Sequence, residues 1–161
     1  GCTLIGTVGS DEKIEIAKKN GCDHVINYST QDFAKEVLEI TNGKGVDAVY
    51  DGVSLKTFEK SLEAIKLRGI FLSFGNASGM VATIDVKKHL APKAVFFTRP
   101  SVLPYTATRP ELELSADRVF SAMKDGKIKI NISHKYSLDE AQKAHEDLHA
   151  RKLLGPAILI P

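Results

Sequence analysis

Apolar residues along this chain fall into short runs that alternate with stretches of helical spacing. Thr3 to Val8 is followed by Asp11 to Asn20, His24 to Ile26 by Thr30 to Thr41, and Val46 to Asp51 by Leu55 to Lys66, before a further run at Ile70 to Phe74. Strand and helix in this alternation predict right-handed βαβ units and a parallel sheet covered on both faces. The punctuation agrees. Gly21 and Gly43 stand where helix C-caps are needed, Gly69 follows a basic helix end at Lys66 and Arg68, and Ser10 and Thr30 are N-cap residues. Beyond Gly75 a polar loop of small residues runs to about Val81, Val95 to Thr98 reads as a strand, and a proline-rich passage from Pro100 to Pro110 leads into a helix ending near Lys124. The remainder predicts a strand over Lys127 to Ile132, an amphipathic helix over Leu138 to Arg151 and a closing strand over Ala157 to Ile160.

The pattern is α/β, a Rossmann-type doubly wound parallel sheet, with one part missing. Such a sheet carries G-x-G-x-x-G after its first strand, and none of the 161 residues spell that motif. Thr3 to Val8 therefore reads as the second strand, with the first strand and the glycine-rich loop missing from this chain. In the strand order 3-2-1-4-5-6 the first strand lies in mid-sheet. Two separated halves are expected, with the gap filled by a longer parent protein or by a partner. Gly1-Cys2-Thr3, without an initiator methionine or a targeting pattern, reads as a cut.

At 43% hydrophobic and 26% charged residues, the chain can bury a core and is not compositionally disordered. Its 22 basic and 20 acidic residues are intermixed, so no basic stripe points to a polyanionic partner. Cys2 and Cys22 are too few for a disulfide framework, and no apolar stretch reaches the roughly 18 residues of a membrane span. A cytosolic protein with free thiols is expected. His145-Glu146-Asp147-Leu148-His149 spells H-E-x-x-H, but little chain follows to supply a third ligand, and neither cysteine lies in a C-x-x-C pair. No metal site is expected, and no local pairing of nucleophile and base suggests hydrolysis.

Candidate chemistry lies at strand ends. Where an NAD-specific fold places a carboxylate for the ribose 2′-hydroxyl, this chain has Val8-Gly9-Ser10, with Lys13 in the next turn. Glycine admits close backbone, while serine and lysine suit a 2′-phosphate, so NADPH is favoured over NADH. Asp11 and Glu12 leave the alternative that one of them faces the ribose; Gly9-Ser10 also reads as an ordinary cap, and Lys13 as a solvated charge. Tyr28 could stack near the adenine end or bond a phosphate, or be a half-buried tyrosine. Ser73-Phe74-Gly75-Asn76-Ala77-Ser78-Gly79 follows a strand at its carboxyl end, where open α/β sheets bind ligands. It could equally be a surface loop.

Several segments together resemble the zinc-free quinone oxidoreductases related to zeta-crystallin, within the medium-chain dehydrogenase/reductase family. They are Leu4 to Gly9 with Lys13, Val25-Ile26-Asn27-Tyr28, Val49-Tyr50-Asp51-Gly52-Val53, Ser61 to Gly69, Ser73 to Gly79, Thr98-Arg99-Pro100-Ser101, Ala141 to Glu146 and Leu159-Ile160-Pro161. The resemblance covers the whole chain. It implies that residues 1–101 are a partial nucleotide-binding domain and residues 102–161 a C-terminal segment returning to the catalytic domain. It implies hydride transfer from NADPH to quinones or similar electron-poor enones, without zinc. It puts Gly9, Ser10, Lys13 and Tyr28 at the adenosine 2′-phosphate, Phe74 and Gly75 by the nicotinamide, and Arg151 near the cofactor. It also implies a homodimer joined through the Val95 to Thr98 edge strand. The chain alone would be inactive, its catalytic groups lying elsewhere. The alternatives are a silent nucleotide-binding or AU-rich-RNA-binding remnant, and an enoyl reductase of the same family.

Overall fold

The computed structural model describes residues 1–150 and 152–161. Contacts gather into two units, Gly1–Pro104 and Tyr105–Pro161. The first holds strands β1 (Ile5–Val8), β2 (His24–Asn27), β3 (Val46–Asp51), β4 (Ile65–Ser73) and β5 (Phe96–Thr98), and helices α1 (Ile14–Lys19), α2 (Phe33–Ile40) and α3 (Phe58–Ala64). A short helix, α4 (Val102–Tyr105), spans the boundary. Every ladder is parallel, with β1 paired to β2, and β4 between β3 and β5. The βαβ reading holds.

The two sheets do not join. Between β1 and β3 lies a cavity of about 830 Å³ lined by residues 1–7 and 45–53, with Phe33, Val37 and Ala64 also on its wall. In the expected strand order this is the place of the first strand. On one side Ile26, Phe33, Ala34, Val37 and Ala64 form a buried cluster; on the other Phe58, Leu62, Ile65, Phe71 and Val95 form a second. Phe71 is fully buried, its ring centroid 5.5 Å from that of Phe58 and 5.4 Å from that of Phe97. Such tilted aromatic packing fastens α3 to β4 and β5.

Local details depart from expectation where tertiary packing outweighs pattern. Helix α2 starts after Asp32, not Thr30, because the Asp32 carboxylate accepts from the amides of Ala34 and Lys35. Ser10 precedes a 3-10 turn, Asp11–Lys13, and its side chain makes no capping bond. Helix α3 stops at Ala64, and β4 takes over at Ile65 rather than Ile70. Burial of Ile65 in the second cluster draws the chain into the sheet early, and Lys93 Nζ donates to the carbonyls of Leu62, Glu63 and Ile65 at the helix end. Gly69 is therefore no helix cap: it lies in β4, and a Cβ there would meet Ile65 Cγ1 at 2.5 Å. The cost shows as an αL conformation at Arg68 (φ 58°) and a register shift between Val46 and Ala48. Before β5 the chain makes a π turn, Val86–Leu90, and a 3-10 turn, Ala91–Lys93.

The second unit contains α5 (Arg109–Lys124), β6 (His134–Ser137), α6 (Ala141–His149) and β7 (Ala157–Ile160). A capping box between Thr108 and Glu111 starts α5. The strand expected over Lys127 to Ile132 does not form. Ile128, Ile130 and Ile132 alternate as a strand would, but they lie outside any ladder among the described residues, and β6 follows them instead, parallel to β7. Alternation without a partner strand leaves backbone groups unpaired, so it is not enough. Tyr136 is buried and donates through its hydroxyl to Asp147, which also pairs with Lys152 at 3.0 Å.

Candidate functional site

At the carboxyl ends of β1 and β2 the chain brings Gly9 and Tyr28 into contact. The Tyr28 amide donates to the Val8 carbonyl at 3.0 Å, carrying the ladder one step on. The ring then lies against Gly9, where a Cβ would fall 2.9 Å from Tyr28 Oη. Ser29 Oγ donates to the Gly9 carbonyl at 2.8 Å and fixes the crossing from the other strand. Ser10, extended at φ −157°, leads into the 3-10 turn, and Lys13 closes that turn by donating its amide to the Ser10 carbonyl.

The acids beside them are treated differently. Asp11 accepts from Asn27 Nδ2 at 2.7 Å, and Asn27 is buried at 3% exposure. Asn27 in turn accepts from the Ser29 amide and donates its own amide to Gln31. Both acids are exposed; Asp11 is engaged with the β2 turn, and among the described residues Glu12 makes no side-chain hydrogen bond or ion pair. Among the described residues neither the Ser10 hydroxyl nor the Lys13 ammonium has a hydrogen-bonding or ionic partner.

At the carboxyl ends of β3 and β4 two loops cross. Asp51 is buried, and its carboxylate accepts from the amides of Val53 and Ser54 and from Thr57 Oγ1, at 2.8 to 2.9 Å. Four polar contacts, counting Ser61 Oγ at 3.4 Å, hold a turn in which Ser54 adopts φ 74°. The turn brings Gly52 against Phe74 and Gly75. A Cβ on Gly75 would sit 2.8 Å from the Gly52 Cα, and a Cβ on Gly52 would sit 3.0 Å from Phe74 Cζ. Phe74 and Gly75 both direct their amides at the Asp51 carbonyl, and Ala77 and Ser78 donate to Gly52 and Val53. The 73–79 segment is therefore a fastened loop, with the Phe74 ring 55% exposed at its start.

Gly9, Ser10, Lys13 and Tyr28 share one strand-end cluster, and Phe74 and Gly75 share another; Arg151 lies outside the described residues. Asp51 and Arg99 were not singled out as site residues in the sequence. A carboxylate followed by glycine at the end of an apolar run was the available signal for Asp51. For Arg99 the signal was its place just after the Val95 to Thr98 run, in the Thr98-Arg99-Pro100-Ser101 segment. In the H-E-x-x-H segment Glu146 accepts from Gln142 one helical turn away. Among the described residues no three histidine, cysteine, aspartate or glutamate side chains gather into a group able to hold a metal ion.

Known proteins resemble the chain throughout. The family described as zinc-binding dehydrogenase matches residues 20–159. The 2-haloacrylate reductase of a Burkholderia species is 42% identical over the whole chain, and quinone oxidoreductase 1 of Escherichia coli K12 is 41% identical. Among solved structures, the quinone oxidoreductase of Pseudomonas syringae pv. tomato and the Escherichia coli quinone oxidoreductase complexed with NADPH each superpose with a TM-score of 0.93 at 42% identity. Each structure match covers 99% of this chain and 49% of the other. The chain thus spans about half the length of the relatives it matches. The family's description names zinc, and the described residues offer no ligand set that fits it. This chain belongs to the zinc-binding dehydrogenase family, and over its whole length it is similar to that family's quinone oxidoreductases.

Proposed function

We propose that this chain is the cofactor-holding half of an NADPH-dependent reductase that delivers hydride to quinones or other electron-poor enones. One observation supports NADPH over NADH: the Ser10 hydroxyl and the Lys13 ammonium stay uncommitted beside the Gly9–Tyr28 contact, and Asp11, the acid nearer the strand end, is engaged by Asn27, with Glu12 one position further on. A ribose diol calls for a free carboxylate at this strand end; a 2′-phosphate calls for a cation and hydroxyl donors. Gly9 keeps the backbone low beneath the Tyr28 ring, whose hydroxyl can donate to the same phosphate. The bound nicotinamide would supply the hydride. Phe74 and the Gly75 backbone would form one wall of its site, orienting the ring and excluding water. This reading places no step on zinc, since the described residues offer no ligand set that fits it.

The 2-haloacrylate reductase relative, as similar as the quinone oxidoreductases, favours a second substrate class: acrylates activated by a halogen. Both classes present a polarised double bond to the same donor. We further assign the full-length protein to a cytosolic homodimer. In support, β5 is the outer strand of its sheet with Phe96 65% exposed, and the two cysteines are free. No helix among the described residues is long and apolar enough to cross a membrane.

The test uses full-length protein. Quinone-dependent NADPH oxidation is expected, and Lys13→Gln should raise the KM for NADPH by about tenfold, equivalent to about 1.4 kcal/mol, with NADH use unchanged. Equal effects on both cofactors would overturn the phosphate role of Lys13. Absence of oxidation with quinones and haloacrylates alike would overturn the enzyme reading, and a monomeric mass in solution would overturn the dimer.

A further inference from the structure

We propose that Arg99 is a positioning residue, a latch that holds the carboxyl end of β4 and thereby sets the loop carrying Phe74 and Gly75. The proposal rests on the cofactor reading above and adds a residue to it.

The ladder between β4 and β5 ends at Leu72 and Thr98. One step further on, β5 reaches Arg99 followed by Pro100, which has no amide hydrogen and cannot extend the pairing. The Arg99 side chain takes over. Its Nη1 donates to the Ser73 carbonyl at 2.6 Å. With the Asn76 amide turned to suit its neighbours, Nη2 donates to the Asn76 side-chain oxygen at 3.2 Å, and the Asn76 nitrogen donates to the Gly75 carbonyl at 2.8 Å. A planar guanidinium thus spans both ends of the Phe74–Gly75 step, through Ser73 before it and Asn76 after it.

The opposite flank of the same step is held by the β3 loop, through the Asp51 carbonyl and the close approach of Gly52 to Gly75. The close approach of Gly52 limits how far the loop can move toward β3, and the guanidinium fork limits its motion away from β5. Arginine suits this task because its donors are fixed in one plane; a lysine offers a single swinging point charge. Ser73 is buried at 8% exposure, so its carbonyl has little water to fall back on once the fork is removed.

Small displacements of a reacting wall cost rate more than affinity when binding is anchored elsewhere. Here the phosphate cluster at Gly9, Ser10, Lys13 and Tyr28 lies on the other sheet and would retain the cofactor. In the full-length enzyme, Arg99→Ala is expected to lower kcat at least tenfold while the Kd for NADPH changes less than threefold. Added ethylguanidinium should restore part of the lost rate, and Arg99→Lys should remain impaired. Without any cofactor, amides of the 74–79 loop should exchange faster in Arg99→Ala than in the parent.

Unchanged loop exchange would overturn the latch, even if activity fell. Parallel losses of kcat, NADPH affinity and thermal stability, with no rescue by ethylguanidinium, would also overturn it by marking Arg99 as a general structural residue. A parent enzyme that bound no NADPH would defeat the functional reading alone, since loop exchange reads the latch without cofactor.

Discussion

Gly75 shows how one missing side chain can decide a site. Its backbone runs so close to Gly52 that a Cβ would lie 2.8 Å from the Gly52 Cα and 2.9 Å from its carbonyl carbon, both rigid backbone atoms. Glycine is required here by crowding, not by an unusual φ. Gly75→Ala should therefore destabilise the protein by about 1–3 kcal/mol, the range for overpacking a filled space. Urea unfolding would measure it, and a loss below about 0.5 kcal/mol would mean that the two loops can part without strain. At this scale the sequence was partly legible. Gly9, Ser10, Lys13 and Tyr28 could be chosen because they follow strand ends, and the fold brings them to one place. The engagement of the Asp11 carboxylate by Asn27 was not legible, because that contact crosses 16 positions.

Elements were readable as to kind, and less so as to where they begin. Helix α2 was expected to start at Thr30 because threonine caps helices; Asp32 wins because its carboxylate reaches two amides and also pairs with Lys60 on α3 at 2.8 Å. The hydrogen bond from Lys60 holds the Asp32 carboxyl below the usual aspartate range. A depressed folded pKa stabilises fully above the ordinary aspartate value of about 3.9 and is lost as pH falls through the folded value. Asp32→Asn keeps an oxygen for the cap but removes the charge. The parent should melt above this variant at pH 7, and the gap should close as the pH is lowered below about 4. A gap constant from pH 7 to pH 3 would show that the ion pair with Lys60 contributes nothing. The start of β4 at Ile65 was equally hidden: residues 65–69 continue a helical spacing, and only burial against Phe71 and Val95 turns them into strand.

At the scale of the first unit, a cavity separates β1 from β3. Strands β1 and β3 face it with edges that pair with no other strand on that side among the described residues, and its wall includes the apolar Phe33 and Val37. Unpaired strand edges recruit other strands. In the 161-residue chain produced alone, amides of β1 and β3 on the cavity side should exchange rapidly, whereas amides of β4, held between two strands, should be protected. Adding the remainder of the full-length protein as a separate polypeptide should slow exchange along both cavity edges. Protection of β1 and β3 in the isolated chain would show that the sheets can close on each other.

The sequence by itself determined the class of this chain, because short apolar runs alternating with period-3.6 stretches are the pattern of strands buried on both faces of a helix-covered parallel sheet. It also determined that the sheet would come in two parts, since the glycine-rich loop and its strand are not in it. Tertiary structure alone decided which side chains are spoken for and which are free. Asp11 is taken by Asn27, Lys93 by the end of α3, and Arg99 by the end of β4. Each of these bonds joins positions far apart along the chain, and local propensity carries no information about a partner that only folding brings near.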